Sequence, residues 1–533
     1  MTIREKIVHS IANFSGDDAD IEVTIPDNEN LGHYSTTIAF ALAKKKRTSP
    51  IKIAGELALY LQSTTPDVFE RVEAISPGFV NMWIKRDVFL RELRSILKEK
   101  DSYGKNKLPR AQRKKIQIEF ISANPTGPLT IANGRGGFLG DALGNLLRFT
   151  GFVVEKEYYV NDTGNQIITF GKSLLASQNI IQDEETFYKG DYIQEWADKN
   201  KKTVERYKEK ALDLGKRAAK DFLKNNQKII KEKAHIYFDR YTSEDKDIHL
   251  EGYTKKALDL FYKNNLAYES DGAIWLKTTT YKDDKDRVLI KKDKSPTYFL
   301  ADAGHYLETK KRGFDTKILI LGPDHYGYVA RIQAVAQIVG IEKSDVLITQ
   351  AVRLMSEGQE IKMSKRKGSF ITFEELIEEV GHDATRFFFL MIAPETHMDF
   401  DMVLAKEKSL KNPVFYIQYA AVRAQSIINK TRFGSLPSIS ELENLSTDED
   451  VRLMKKLAQF PEILRDVSQN YKIHRLAQYV LELARVFHGF YEKERVVGEE
   501  ENIMKARIAL ISATIIVFKN IFSILGISLP KKM

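Results

Sequence analysis

The sequence predicts a multidomain α/β protein, in which a parallel sheet wrapped by helices lies between a small α+β unit and an all-α bundle. Three observations carry that expectation. The chain has 533 residues, more than one core holds, since domains usually contain about 100 to 200. Its hydrophobic fraction is 43% and its charged fraction 29%, with 30 Gly and 14 Pro, which is a globular composition and excludes a disordered or fibrous chain. Its apolar periodicity also changes along the length, from mixed, to alternating strand and helix, to helix only.

Residues 1–100 read as the α+β unit. Ser35 to Lys45 has helical spacing through Ile38, Ala39, Leu42 and Ala43, and a second helix covers Ile51 to Leu61. Pro77-Gly78 then turns into a strand through Trp83. The polar, basic stretch that follows makes 101–114 a linker. From Lys115, Ile116, Ile118 and Phe120 alternate with Gln117 and Glu119 as in a strand. A loop rich in Asn, Pro and Gly leads into a helix through Leu139, Ala142, Leu143, Leu146 and Leu147, then into a strand over Val153 to Val160. Strand signals recur at Lys317 to Leu321 and Val346 to Val352, so 115–400 reads as a parallel-sheet domain, with a charged helical insertion over about 172–265. After Asp401 the strand signals stop. Leu476, Val480, Leu483, Phe487 and Phe490 recur at spacings of three and four, and 401–533 reads as a helix bundle.

Composition excludes several chemistries. With no cysteine there are no disulfides, thiolate nucleophiles, iron–sulfur clusters or Cys-ligated zinc. The ten histidines lack H-E-x-x-H spacing, so no protein-held metal is expected. The start of the chain carries early acidic residues and no apolar core of about 7 to 15 residues, so no targeting segment is indicated and a cytoplasmic protein is expected. The apolar stretch Ile508 to Ile527 is interrupted by Lys519 and Asn520 and reads as a buried helix, with no membrane contact. The excess of nine positive charges suits an anionic partner or a solvated lysine-rich surface.

Two loops carry chemistry. The first runs from Ser122 to Gly137, between a strand's carboxyl end and a helix amino terminus, where free N–H groups and the helix dipole favour phosphate and small residues let a nucleotide approach. The competing reading of its glycines is tight helix–strand packing. The second is Lys362-Met363-Ser364-Lys365-Arg366-Lys367-Gly368, a run of cations that reads either as a solvated turn or as a polyanion site. Together they resemble the paired signatures of class I aminoacyl-tRNA synthetases.

Within that class the chain resembles arginyl-tRNA synthetases over essentially its whole length. The blocks are Glu119-Phe120 with Ser122 to Pro128, Tyr159 to Gln166, Ser295 to Asp302, Gly381 to Phe387, Asn412 to Ala420 and Pro530 to Met533. The resemblance implies a Rossmann-like catalytic domain, an N-terminal additional domain that contacts the tRNA elbow, and a C-terminal anticodon-binding bundle. It implies a ligase that joins L-arginine to tRNA(Arg) with ATP and Mg²⁺, working as a monomer. The arginine site falls on Glu119, Ser122, Asn124, Tyr298 and Asp302. Carboxylates suit a guanidinium because its planar fork of donors bonds them in pairs. ATP falls on Pro128, Thr130, Ile131, Ala132, Asn133, Gly134, Met363, Ser364 and Lys365. Catalysis falls on Thr130, Asn133, Lys362 and Lys365. The tRNA is expected on Tyr34, Tyr416, Gln418, Tyr419 and Arg423, where the competing reading of the tyrosines is bundle core. A glutamine that some relatives use for the substrate amino group is not evident near Asp324 to Val329.

One departure divides the functional expectation. Where the class has H-I-G-H, this chain has Thr130-Ile131-Ala132-Asn133. Both histidines are replaced by residues with neutral donors, as in the T-I-G-N version that the segment also resembles, found in tryptophanyl-tRNA synthetases. Ala132 adds a methyl where adenine lies. The first reading is an active ligase; the second is a catalytically impaired, synthetase-like tRNA-binding protein.

Overall fold

The structure is a computed structural model that describes residues 1–16, 20–26, 28–106, 113–361, 371–431 and 434–533. Helix α1 (Ile3–Ser15) starts at a capping box, in which Thr2 Oγ1 accepts the Glu5 N–H at 3.2 Å and the Glu5 carboxylate accepts the Thr2 N–H at 2.9 Å. Strands β1 (Val23–Thr24), β2 (Tyr34–Thr36), β3 (Phe69–Ile75) and β4 (Phe79–Ile84) form an antiparallel sheet ordered β1-β2-β4-β3. Helices α2 (Ile38–Lys46) and α3 (Pro50–Thr64) pack with it. The helix expected from Ser35 begins later, because Tyr34, Ser35 and Thr36 pair with Met82, Asn81 and Val80. Helix α4 (Arg86–Glu99) leads to Tyr103, which is buried and stacks on Phe460 with centroids 6.1 Å apart.

The central sheet is parallel throughout, with β5 (Lys115–Glu119) in the middle, β6 (Val153–Val160) and then β7 (Arg240–Ser243) on one side, and β11 (Thr316–Leu321) and then β12 (Lys343–Ile348) on the other. Helix α5 (Ile131–Phe149) crosses from β5 to β6 (Val153–Val160). Helices α6 (Asn165–Ser177), α7 (Asp191–Lys199), α8 (Lys201–Arg206) and α9 (Ala211–Glu232) then build a satellite core of Phe170, Trp196, Leu214 and Ala218. The backbones of α6 and α9 touch at glycines: a Cβ on Gly171 would stand 1.8 Å from the Ala211 carbonyl oxygen. The chain returns to the sheet at β7 (Arg240–Ser243), within the stretch read as helical, because Tyr241 and Thr242 pair with Tyr158 and Tyr159 of β6. Helix α10 (Tyr253–Lys263) and an antiparallel sheet of β8 (Ala267–Ser270), β9 (Ala273–Leu276) and β10 (Arg287–Ile290) precede α11 (Tyr298–Lys311).

Strand β11 (Thr316–Leu321) enters on the other side of β5, followed by α12 (Val329–Val339) and β12 (Lys343–Ile348). The single strand expected over Val346 to Val352 is two. The Thr349 and Gln350 N–H groups bond to the Leu321 and Pro394 carbonyls, each at 2.8 Å, which turns the chain out of the sheet. Val352 opens β13 (Val352–Ser356), which pairs with β14 (Gln359–Glu360) and β15 (Met398–Asp401). Because β6 and β11 flank β5 on opposite sides, the sheet has its switch point at the carboxyl ends of β5 and β11, where open α/β sheets bind ligands.

Helices α13 (Phe373–Val380), α14 (His382–Met391) and α15 (Met402–Lys406) lead to the bundle of α16 (Pro413–Lys430), α17 (Ile439–Leu442), α18 (Asp448–Ala458), α19 (Phe460–Asn470), α20 (Ile473–Lys493) and α21 (Glu501–Leu525). Among the described residues α21 is the one helix long and apolar enough to cross a membrane, and 83% of its most apolar window is buried inside the molecule. It is a core helix of the bundle.

Candidate active site

The loop after β5 leaves the sheet through two left-handed residues, Ile121 at φ 64° and Ser122 at φ 37°, a costly conformation for side chains with a Cβ. The turn puts the Ser122 hydroxyl between two groups: it accepts the Tyr159 N–H at 3.0 Å and donates to Glu119 at 3.3 Å. Asn124 is exposed beyond it. Thr130 caps α5, and its relation to Asn133 changes the sequence expectation. The Thr130 N–H and hydroxyl both donate to Asn133 Oδ1 at 2.9 Å, and the hydroxyl accepts the Asn133 N–H at 3.4 Å. The pair expected to offer two donors to phosphate is bonded to itself as a capping box, and the Asn133 amide group keeps the free donors. The methyl-bearing Ala132 is exposed in the first turn, whereas Gly134 is buried under Phe373, where a Cβ would stand 2.2 Å from the ring.

The start of α13 is tied to the first loop. Thr372 bridges Thr130, and the Phe373 N–H bonds to the Leu129 carbonyl at 3.0 Å. Lys362, Met363, Ser364 and Lys365 lie outside the described residues.

Glu119, at the end of β5, is buried with a compensated charge network behind it. The fully buried Lys317 ammonium of β11 lies 3.0 Å from Glu119 and 3.7 Å from Glu157, and donates to Gln117 at 2.6 Å. His305 of α11 contacts Glu157 at 3.1 Å and stacks on Tyr159, with centroids 4.4 Å apart and planes at 19°. Arg312 and the Thr242 hydroxyl also donate to Glu157. Burial opposes the charge of Glu157, but His305, Lys317 and Arg312 outweigh it and hold its carboxyl well below the usual range.

Asp302, on α11, sits on the opposite side of this balance. Burial, reinforced by the charges of Glu119 and Glu244, pushes its carboxyl up to about 7, although the Tyr328 hydroxyl donates to it and His305 is near. Tyr328 is held well above its ordinary value by burial and by Asp302. Glu244, at the carboxyl end of β7, is 4% exposed and contacts His249 at 3.3 Å. With Glu119 and Asp302 it surrounds the buried Tyr159. Sequence reading missed Glu244, Tyr328 and Lys317; for Glu244 the signal was a carboxylate ending a strand of the parallel sheet. Tyr298 is 52% exposed at the start of α11, its hydroxyl 3.5 Å from the position a Cβ would take on Gly164. Such a cluster of carboxylates suits a ligand that is cationic, planar and rich in donors.

Two residues expected to contact RNA are elsewhere engaged. Tyr34 is 3% exposed and donates its hydroxyl to Glu462 of α19 at 2.9 Å, beside the Arg4–Glu462 pair at 3.3 Å. It joins the N-terminal unit to the bundle and has no free face for a base. Gln418 is buried and donates to Asp383 at 2.8 Å and to the Ser528 carbonyl at 2.9 Å, which ties α16 to α14 and the chain's end. Tyr416, Tyr419 and Arg423 remain half-buried. The Arg423 guanidinium lies 4.5 Å from the Tyr419 ring centre and 4.2 Å from that of Tyr491, an exposed ring that sequence reading did not single out.

Residues 1–84 match the family description "Arginyl tRNA synthetase N terminal domain", residues 92–391 "tRNA synthetases class I (R), catalytic domain", and residues 417–533 "DALR anticodon binding domain". The chain is 39% identical to the arginine–tRNA ligase of Citrifermentans bemidjiense over 97% of this chain and 96% of that protein. It is 36% identical to the arginine–tRNA ligase of Staphylococcus carnosus over 100% and 98%. The fold resembles the solved arginyl-tRNA synthetase of Thermus thermophilus, with a TM-score of 0.79 at 21% identity, covering 99% of this chain and 100% of that one. The parallel sheet, the three family matches and these full-length likenesses converge: the chain belongs to the arginyl-tRNA synthetase family of class I aminoacyl-tRNA synthetases.

Proposed function

We propose that this arginine–tRNA ligase binds arginine with its guanidinium between Glu119 and Asp302 and its aliphatic stem along Tyr298, with Ser122 and Asn124 toward the amino-acid end. The observation that carries the reading is the cluster of carboxylates formed by Glu119 at the end of β5, Glu244 after β7 and Asp302 of α11, at the carboxyl edge of the sheet. ATP lies over Pro128, Ile131, Ala132 and Gly134, with the Asn133 amide donating to phosphate. One oxygen of the arginine carboxylate attacks the α-phosphorus; the bond to the bridging oxygen breaks, and pyrophosphate leaves with the electron pair. Lys362 and Lys365, with Met363 and Ser364 beside them, balance the charge that develops on it.

The terminal ribose hydroxyl of tRNA(Arg) then attacks the arginyl carbonyl, and AMP leaves. Mg²⁺ arrives with ATP and supplies charge neutralisation to the phosphates. Among the described residues the grouping with metal-ligand spacing is Glu119, Glu157 and His305, and the Lys317 ammonium already balances it, so it does not fit as the Mg²⁺ site. Residues 1–100 contact the tRNA elbow, 101–114 link, 115–400 catalyse, and 401–533 read the anticodon through Tyr416, Tyr419 and Arg423. The protein works as a cytoplasmic monomer without membrane contact.

The alternative, a synthetase-shaped protein that binds tRNA without making the adenylate, finds no support. The deciding experiment is arginine-dependent exchange between ATP and pyrophosphate, with and without tRNA(Arg). Exchange in the presence of tRNA is expected; tRNA binding without any exchange would overturn the ligase reading.

A further inference from the structure

Helix α9 has two unlike faces. Leu214, Ala218, Asn226, Ile229 and Ile230 are buried, and the Asn226 amide donates to the Gly127 carbonyl of the entry loop at 3.0 Å. On the opposite side Arg217, Lys220, Lys224, Lys228 and Lys231 are all exposed. Their spacings of three, four, four and three residues place them on one stripe, since a helix turns about 100° per residue. The stripe is about 21 Å long, because 14 residues rise by about 1.5 Å each. Among the described residues Glu232, 3.9 Å from Lys228, is the one acid within ion-pair reach of it. Like charges at these spacings repel along a helix, and the one acid between Arg217 and Lys231, Asp221, is half-buried and accepts the Trp196 indole N–H at 3.3 Å.

We propose that this stripe is a docking ridge for the sugar-phosphate backbone of the tRNA acceptor arm. The inference rests on the ligase reading and adds a surface to it. A row of cations matches a polyanion, and A-form RNA is recognised largely through its shape, phosphates and 2′-hydroxyls. The acceptor arm is favoured over other parts of the tRNA by position. The buried side of α9 touches Gly127, in the loop proposed to hold ATP, so the ridge lies about one helix diameter, about 10 Å, from the place the terminal ribose must reach.

The test uses the full-length chain and the variant K220Q/K224Q/K228Q, with K224E as a second, single-site probe. Binding is measured by titration against tRNA(Arg), an RNA hairpin carrying only the acceptor stem, and an RNA hairpin carrying only the anticodon stem-loop, across a salt series. The triple variant is expected to bind tRNA and the acceptor hairpin at least tenfold more weakly. The slope of log K against log salt should fall by about 2, as expected for lost phosphate contacts. Anticodon-hairpin and ATP binding should stay within about twofold, and K224E should show the same pattern at smaller amplitude. Unchanged tRNA affinity and salt slope, or a loss confined to the anticodon hairpin, would overturn the ridge. Failure of the unaltered chain to charge tRNA(Arg) with arginine would instead sink the ligase reading.

Discussion

The proposed arginine pocket and the proposed ATP loop lie side by side at the carboxyl edge of one sheet, yet they are built on opposite principles. The pocket is held by buried charge contributed from far apart in the chain: Glu119 on β5, Glu157 on β6, Glu244 after β7, Asp302 and His305 on α11, and Lys317 on β11. The loop is held locally and without charge, by Thr130 and Asn133 bonding each other across one helical turn. A substrate recognised by charge needs a framework that fixes charge in a low-dielectric site; a phosphate at a helix end needs N–H groups the backbone already supplies. Damage should therefore spread widely from the pocket and stay confined in the loop.

The sharpest break in the comparison is Lys317→Met, which leaves Glu119 and Glu157 short of their shared cation. Removing one partner of a buried ion network costs about 3–5 kcal/mol, so a large loss of stability in urea melts and a raised arginine KM are expected. Adding Glu157→Gln should restore much of the stability by removing the stranded charge. A stable single variant with normal arginine KM would show that the network does not frame the pocket. Asp302→Ala should raise the arginine KM about 100-fold while sparing ATP, the size expected from about 2–3 kcal/mol for a lost charge-assisted bond to a buried guanidinium.

A third prediction uses pH. With the Asp302 carboxyl near 7 in the unliganded pocket, the group is protonated below that value and must lose its proton to receive a cation. Arginine affinity should therefore rise with pH up to about 7 and level off above it, with about a tenfold loss per unit below. Calorimetry in buffers of different ionisation enthalpy should detect a proton released on binding, and Asp302→Asn should abolish both effects. The smallest effect is expected in the loop. Thr130→Ala removes a helix cap, worth about 1 kcal/mol, and should lower the melting temperature by a few degrees with little change in arginine KM. A change in arginine KM as large as that of Asp302→Ala would erase the distinction between the two regions.

The same contrast governs how far the site was legible in the sequence. The strand, loop and helix start that carry Glu119, Ser122 and Thr130 could be read as local patterns, although the roles of these residues came from the family resemblance. Asp302 was placed only by family resemblance. Glu244 and Tyr328 were not found, and neither was the ammonium of Lys317, whose partner Gln117 lies 200 residues away. Tyr34 and Gln418 show the same limit from the other side. Both are amphipathic side chains in blocks that suggested RNA contact, and nothing local indicates that Glu462 and Asp383 wait across an interface to receive them.

By itself the sequence determined the alternation of strand and helix that makes a parallel sheet, the apolar periodicity of the bundle, the two signature loops and hence the family. These follow from side-chain period, turn chemistry and short motifs, all of which act within a few residues. Tertiary structure decided which carboxylates come together and which of them is pushed up toward neutral pH. It also decided which hydroxyl is already spent on its neighbour, and which lysines of α9 face outward beside the entry loop. Those properties depend on burial and on through-space charge, and both are set by residues that meet only when the chain has folded.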